Sequence, residues 1–254
     1  MTILHRVLGG ALFAVALAGS RMAWAGDEQA ISLMITPKVG RSVRMKSVIK
    51  TLFLGKELII TRTQKATVTE VKANGDVVQE IVDEGGTMSS AGEEEKQLPI
   101  PPYTVTGDKF GKRKEFRKAP EEGAMKPEIS QLMDMFGLFV LTDKTVKPND
   151  TWRSELENPA VPEKKVILKD TYLGIEKIDG KDYWKIKQTG EAIVDAKGGK
   201  MISEATEWVN PTTGEPFKIE DTIKDVPTPA GTLTLQIVKS ITTDDKDKPV
   251  KKSN

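Results

Sequence analysis

The chain contains no cysteine, and its only histidine is His5. Without cysteine there are no disulfides, no thiolate nucleophile, no thiolate metal ligands and no c-type haem attachment. His5 lies in a segment that reads as a cleavable leader, so the working protein would have no imidazole either. Ser-His-Asp triads and histidine-based zinc sites are thereby excluded. Long apolar runs are scarce too. Beyond the leader, no stretch approaches the roughly 20 apolar residues that a membrane-spanning helix needs.

Charge of one sign is equally lacking, with 38 Lys+Arg against 37 Asp+Glu. A general nucleic-acid binder would carry a marked basic excess, so that function class is set aside.

What is present begins with residues 1–25. Arg6 supplies a positive start, residues 7–19 form a short uncharged apolar run, and Ala23-Trp24-Ala25 is a small-x-small cleavage site. These three parts predict a cleaved signal peptide and a periplasmic or secreted protein. With Arg6 and Arg21 removed, the formal charge of +1 becomes slightly acidic.

The remainder is rich in Val, Ile, Thr and aromatic segments bounded by Gly, Pro, Asn and Asp, a pattern that predicts strands. They are expected over 42–53, 56–64, 66–73, 76–83, 103–110, 165–178, 181–190, 200–210, 217–224 and 231–243. Asn74-Gly75 and Asp179-Gly180 suit two-residue hairpins. Short connections of this kind imply antiparallel neighbours.

One helix is predicted over 127–140, where Ile129, Leu132, Met133, Phe136 and Val140 recur at helical spacing and Pro127 fits the first turn. The chain thus divides into an N-terminal β half (26–125), a helix with an irregular connection (126–162), a C-terminal β half (163–243) and a disordered tail (244–254). The predicted fold is mainly β. It is a strongly curved antiparallel sheet or incomplete β-barrel with one covering helix. Alternation in 231–243 and 217–224 gives each strand one apolar and one polar face, and the apolar face must be covered. A single helix is short cover for ten strands, so the sheet either curls on itself or encloses an apolar cavity.

Acidic Glu93-Glu94-Glu95 reads as an exposed loop, lacking the ligand alternation of a calcium site. The tail from Asp244 to Lys248 lacks a loop Gly and a distal Glu, so no metal site is expected there either. Residues 109–118 interleave six basic side chains with Phe110 and Phe116. They read as a solvated strand or loop or, in the sharper alternative, as a surface for an anionic membrane. Carboxylate pairs have no diagnostic spacing, so a carboxylate-based hydrolase stays open while no catalytic residue is named. The candidate ligand-binding residues are Trp152, Trp184, Trp208, Phe136, Phe139, Tyr172 and Met133, because aromatics and Met make adaptable apolar walls.

Trp208, Pro211, Thr213, Gly214 and Pro216, in the segment running on to Glu220, form a W-x-x-P-x-T-G-x-P pattern. It resembles the hairpin of LolA-like periplasmic lipoprotein-sorting and sigma-factor-regulatory proteins. The resemblance implies an incomplete antiparallel barrel whose apolar interior, lidded by helices, accepts acyl chains or a partner segment. Lys147-Pro148-Asn149-Asp150-Thr151-Trp152 is similar to a K-x-G-D-T-W-type turn of uncharacterised exported bacterial proteins, with Asn149 in place of Gly. The sequence therefore points to a non-enzymatic exported binding or carrier protein for an apolar ligand such as a lipid or acyl chain, without a cofactor. The alternative is a cell-envelope structural or protein-interaction module.

Overall fold

In the computed structural model the described residues are 30–33, 37–97, 99–114, 126–211 and 216–243. The predicted signal peptide, the tail, the second half of the basic stretch and the turn of the Trp208 hairpin lie outside them.

Eleven strands form one antiparallel sheet. In spatial order these are β5 (Glu93–Gln97), β4 (Val77–Ser90), β3 (Lys56–Val71), β2 (Ser42–Phe53), β13 (Gly231–Thr243), β12 (Pro216–Thr228), β11 (Lys200–Val209), β10 (Lys181–Ile193), β9 (Lys165–Ile178) and β8 (Thr151–Glu157). Strand β6 (Tyr103–Gly107) also pairs with β4, while β1 (Ile31–Ser32) and β7 (Thr145–Val146) form a small separate ladder. Every connection but one along this path is a hairpin between sequence neighbours. The exception joins β13 to β2 in mid-sheet, with Gln236 opposite Lys50 and Thr243 opposite Val43.

The sheet is open, because its end strands do not pair with each other. It is also strongly curved. Laid flat, ten adjacent strands would span about 43 Å at the usual ~4.8 Å spacing. Yet Leu58, Ile60 and Met88 at one end share a single apolar cluster with Leu156, Val166 and Leu168 at the other. Only a sheet curled into a trough brings them together.

Its cover is α1 (Pro127–Met135), whose Ile129, Leu132 and Met135 are buried in that cluster. The helix is shorter than its periodicity predicts. Phe136 is already extended at φ −72, ψ 138, and Gly137 takes φ 71, a left-handed conformation that glycine adopts without a side-chain clash. Residues 136–140 therefore continue the apolar stripe as irregular chain.

Several strands exceed their predicted bounds. The segments expected at 56–64 and 66–73 are one strand, β3. Strand β4 runs through Gly85-Gly86, because a Cβ at Gly86 would stand 1.9 Å from the Thr61 carbonyl oxygen and only glycine lets the strands approach. The acidic triplet, expected as a loop, pairs as β5 with its carboxylates still exposed. The connection expected to be irregular contains β8, which starts just after the Asn149 turn, where φ is 74. No helix among the described residues is long and apolar enough to cross a membrane.

Candidate functional site

Inward-facing positions along the trough are not uniformly apolar. On β3, Leu58 and Ile60 are followed by Arg62 and Gln64 before apolar Ala66 and Val68 resume; all six are buried. The same interruption recurs in β9 at Asp170 between Leu168 and Tyr172, and in β10 at Gln188 between Ala192 and Ile186. In β12 it falls at Asp221 between Ile223 and Ile219, and in β13 at Lys239 between Ile237 and Ile241. On β11 Ser203 and Glu207 take the corresponding places, and on β4 Asp83 does. The register carries Asp170 to Gln188, Gln188 to Ala205 and Ala205 to Asp221, and it carries Ile219 to Lys239 and Lys239 to Ser47.

A polar belt therefore crosses the concave wall. It separates the α1-side cluster from two others, one around Val43, Val68 and Ile81 and one around Tyr172, Trp184 and Ile186.

The segment 136–141 lies against this belt. Phe136 sits over Gly190, where a Cβ would come within 2.6 Å of its ring. The next two residues are held by Gln188, whose Oε1 accepts from the Gly137 N–H at 3.2 Å and whose Nε2 donates to the Leu138 carbonyl at 2.8 Å. That Nε2 also donates to Asp170 Oδ1 at 2.9 Å. A Cβ on Gly137 would stand 3.4 Å from Asp221 Oδ2 and 3.8 Å from Lys239 Nζ. Further along, the Trp152 indole N–H donates to the Val140 carbonyl at 2.7 Å. Helix α1 and residues 136–141 together form a plug in the trough.

Burial dominates the electrostatics. It pushes the Asp170 carboxyl up to about 8, the Gln188 hydrogen bond pulling partly back. Glu207 is likewise pushed up to about 8 by burial and by Asp170, against the pull of Lys239. Asp221 rises to about 6 through burial, opposed by Lys239 and by hydrogen bonds from Ser203 and the Thr222 backbone. Lys239 is held below the ordinary lysine value by burial, with Asp221, Asp134 and Glu207 opposing. Asp170 Oδ2 and Asp221 Oδ2 are buried and accept no hydrogen bond, although Asp221 Oδ1 accepts one from Ser203 Oγ at 2.8 Å. Among the described residues no three His, Cys, Asp or Glu are grouped so as to hold a metal.

The residues singled out from sequence fall in three places. Met133 and Phe136 belong with the α1-side cluster. Tyr172 and Trp184 lie in the cluster at the other end of β9 and β10, with Trp152 and Phe139 packed against it. Trp208 is not with them. It pairs laterally with Lys185 and Lys218 on the convex face, and their Nζ atoms stand 5.4 and 5.2 Å from its ring.

The described part of the basic stretch spreads its charges rather than forming one face. Arg113 is buried with Asp134 3.8 Å away, Lys114 pairs with Asp76 at 2.7 Å, and Lys112 reaches the Glu155 carbonyl at 3.4 Å.

Asp170, Gln188, Glu207, Asp221 and Lys239 were missed by sequence reasoning. Their signal was available as a polar residue in the apolar phase of an alternating strand, as in Ile237-x-Lys239-x-Ile241. Alternation that tolerates an exception hides it.

The fold and its interior thus define an open, plugged antiparallel half-barrel. No family model matches the chain, and no curated protein matches it. Two solved structures align with most of the chain at low identity. One is a DUF1329 family protein from Desulfovibrio piger, with 10% identity and a TM-score of 0.27 over 82% of this chain and 87% of that one. The other is described as an outer membrane lipoprotein-sorting protein domain from Vibrio parahaemolyticus. It has 9% identity and a TM-score of 0.23 over 81% of this chain and 86% of that one.

Proposed function

We propose that the protein is an exported, non-enzymatic carrier that takes up a lipid or acyl chain in its trough when the plug moves aside. The observation that carries this reading is the cover itself. Among the described residues, a sheet of eleven strands is covered by one nine-residue helix and a short irregular segment. The plug contributes Ile129, Leu132, Met133, Met135 and Phe136, side chains whose apolar volume an acyl chain replaces in kind. A helix of this length is not stable on its own. Lys126 provides no side-chain cap, so packing on the trough is what holds the helix in place.

On this reading Met133 and Phe136 mark the portion of the plug that a ligand displaces. Phe139, Trp152, Tyr172 and Trp184 form the far wall. The protein expressed with its leader, recovered from the periplasm and examined by native mass spectrometry should carry lipid that organic extraction removes. Recovery of lipid-free protein that also fails to take up the neutral probe diphenylhexatriene would overturn the reading.

A second reading, an envelope interaction module, draws on the β2–β3 hairpin tip. There Leu52 and Leu54 are 68% and 76% exposed and Leu54 has φ 50. Leucine at positive φ is uncommon, and an exposed apolar tip held that way suits contact with a partner.

A further inference from the structure

We propose that the β2–β3 hairpin tip is a membrane-docking arm that inserts Leu52 and Leu54 into the interfacial region of an anionic bilayer. The tip stands clear of the sheet. Lys50 is the last residue of β2 paired to β13, at Gln236, and Leu58 is the first residue of β3 paired to β4, at Ser90. Beyond them, residues 52–57 pair only with one another, Leu52 with Glu57 and Phe53 with Lys56 across the Leu54-Gly55 turn. The base of this ribbon is fastened by Thr51, whose Oγ1 donates to the Thr234 carbonyl at 2.8 Å. Its two faces differ. Phe53 turns inward and packs against the α1-side cluster, while Leu52 and Leu54 stand in solvent.

Neither leucine serves the fold. A two-residue hairpin turn with positive φ at both positions favours Asn, Asp or Gly at the first. The β9–β10 turn follows that rule, with Asp179 at φ 50 and Gly180 at φ 77. The β2–β3 turn instead places Leu54 at φ 50 before Gly55 at φ 75. A leucine there opposes the turn's own preference and leaves an apolar side chain in water. Contact with an apolar medium outside the molecule offsets both.

Lipid fits the tip better than a protein partner does. The ribbon is far smaller than the ~20–30 residues per side of a standard protein interface, whereas an apolar element enters a bilayer interface by only ~5–10 Å. Cations flank the apolar pair. Lys50 and Lys56 are exposed, and their long stems reach back to headgroup level when Leu54 is deepest. Elsewhere on the convex face lysines pair with glutamates, as Lys185 does with Glu176, Lys218 with Glu220 and Lys224 with Glu204. Among the described residues Lys46, Lys50 and Lys56 have no such partner. Glu57 is the one carboxylate between Lys46 and Leu58, and the three lysines outweigh it. Glu93 and Glu94 of β5 lie two strand spacings from β3, about 10 Å, which is roughly one Debye length at ~0.1 M salt. Because Phe53 packs on the α1-side cluster, docking brings that end of the trough next to the lipid. The assignment itself does not depend on the trough taking a ligand.

The test uses the full chain recovered from the periplasm and sedimented with vesicles, either of phosphatidylcholine alone or of phosphatidylcholine with an equal part of phosphatidylglycerol. The wild type should bind the anionic vesicles about tenfold or more tightly than the neutral ones. Leu52→Ser combined with Leu54→Asn should weaken binding to the anionic vesicles by about thirtyfold or more. Because Asn suits positive φ, that variant should melt no lower than wild type by circular dichroism, which separates lost docking from lost fold. Lys50→Glu combined with Lys56→Glu should cut binding to the anionic vesicles about tenfold and leave binding to the neutral ones within about threefold. Wild type that sediments with neither vesicle overturns the assignment, including the case in which the tip captures an envelope protein instead. A leucine variant that binds as tightly as wild type overturns it as well. Equal binding of wild type to both vesicles, or anionic binding unchanged in the lysine variant, removes the anionic preference and overturns the proposal. Should either variant not fold, Leu52→Trp decides: it should gain quenching by brominated acyl chains that wild type lacks, and no gain overturns insertion.

Discussion

Gln188 Nε2 donates to Asp170 Oδ1 at 2.9 Å across the β9–β10 ladder, and this bond sets which way the Gln188 amide faces the plug. The amide thereby presents its oxygen to Gly137 and its remaining N–H to Leu138. One side chain on the wall thus joins a carboxyl of the sheet to the main chain of the cover.

Gln188→Ala removes all three bonds and leaves buried groups without partners. A loss of about 2–4 kcal/mol in unfolding free energy is expected, with faster hydrogen exchange at the Gly137 amide than at amides of β10. Denaturant titration and exchange mass spectrometry would measure the two effects. Protection at Gly137 equal to that of wild type would show that the clamp does not hold the plug.

Gly190→Val places a branched side chain where the Phe136 ring lies, within 2.6 Å at the first carbon. The variant should lose about 1–3 kcal/mol through overpacking, and pairing it with Phe136→Ala should recover part of that loss. Because the substitution pushes the plug outward, diphenylhexatriene uptake should rise in the single variant. A double variant less stable than the sum of its parts would contradict the packing assignment.

Acidification should stabilise the fold. Burial raises the carboxyls of Asp170 and Glu207 to about 8 in the folded state, from ordinary values of 3.8 and 4.5. A raised folded-state value means that the contribution is fully present below about pH 4 and is lost as pH rises through about 8. Each proton retained only by the folded state contributes about 1.4 kcal/mol per pH unit. Between pH 5 and pH 8 each of these two groups should remove on the order of 3–4 kcal/mol. Asp170→Asn should flatten this slope and be the more stable form at pH 8. Urea midpoints at the two pH values provide the check, and a slope as steep in Asp170→Asn as in wild type would rule out Asp170 as its source.

Trp208→Ala should cost stability without changing ligand uptake. The ring is buried beneath Lys185 and Lys218 on the convex face, and cation–π contacts contribute about 0.5–2 kcal/mol each, more as they are shielded from solvent. Probe affinity within about twofold of wild type is the expected result. Phe136→Ala, in contrast, should alter uptake. A large loss of uptake in Trp208→Ala would place the ring's role inside the trough.

The strand plan was legible because β2, β9 and β13 alternate cleanly and end at turn residues whose chemistry is local. The helix was legible for its first nine residues only. Ile129 to Phe136 keep helical spacing, and nothing in that spacing reveals that Gly137 turns left-handed. Strand β8 escaped because Trp152 to Glu157 alternates charge with few apolar partners, its place at the sheet edge being set by β9 rather than by its own pattern. The belt escaped for a different reason. A carboxylate or amide in the apolar phase of one strand is an ordinary exception, and it becomes a feature only when eight neighbouring strands are laid in register. Trp208 was drawn toward the site by its size, whereas strand parity at Glu207 and Trp208 puts the carboxylate inside and the indole outside.

The pairing of β13 with β2 bears on how the fold is completed. The last of the described strands is not an edge; it fills the middle of the sheet. Until it arrives, β2 and β12 both present open ladders, and the trough is two separate leaves with their apolar sides unjoined. Such a chain is prone to pair with strangers. A truncation of a dozen residues before Thr243 should therefore yield aggregates rather than a trimmed protein, and prompt docking of β13 protects this fold more than any local stabilisation of its ends.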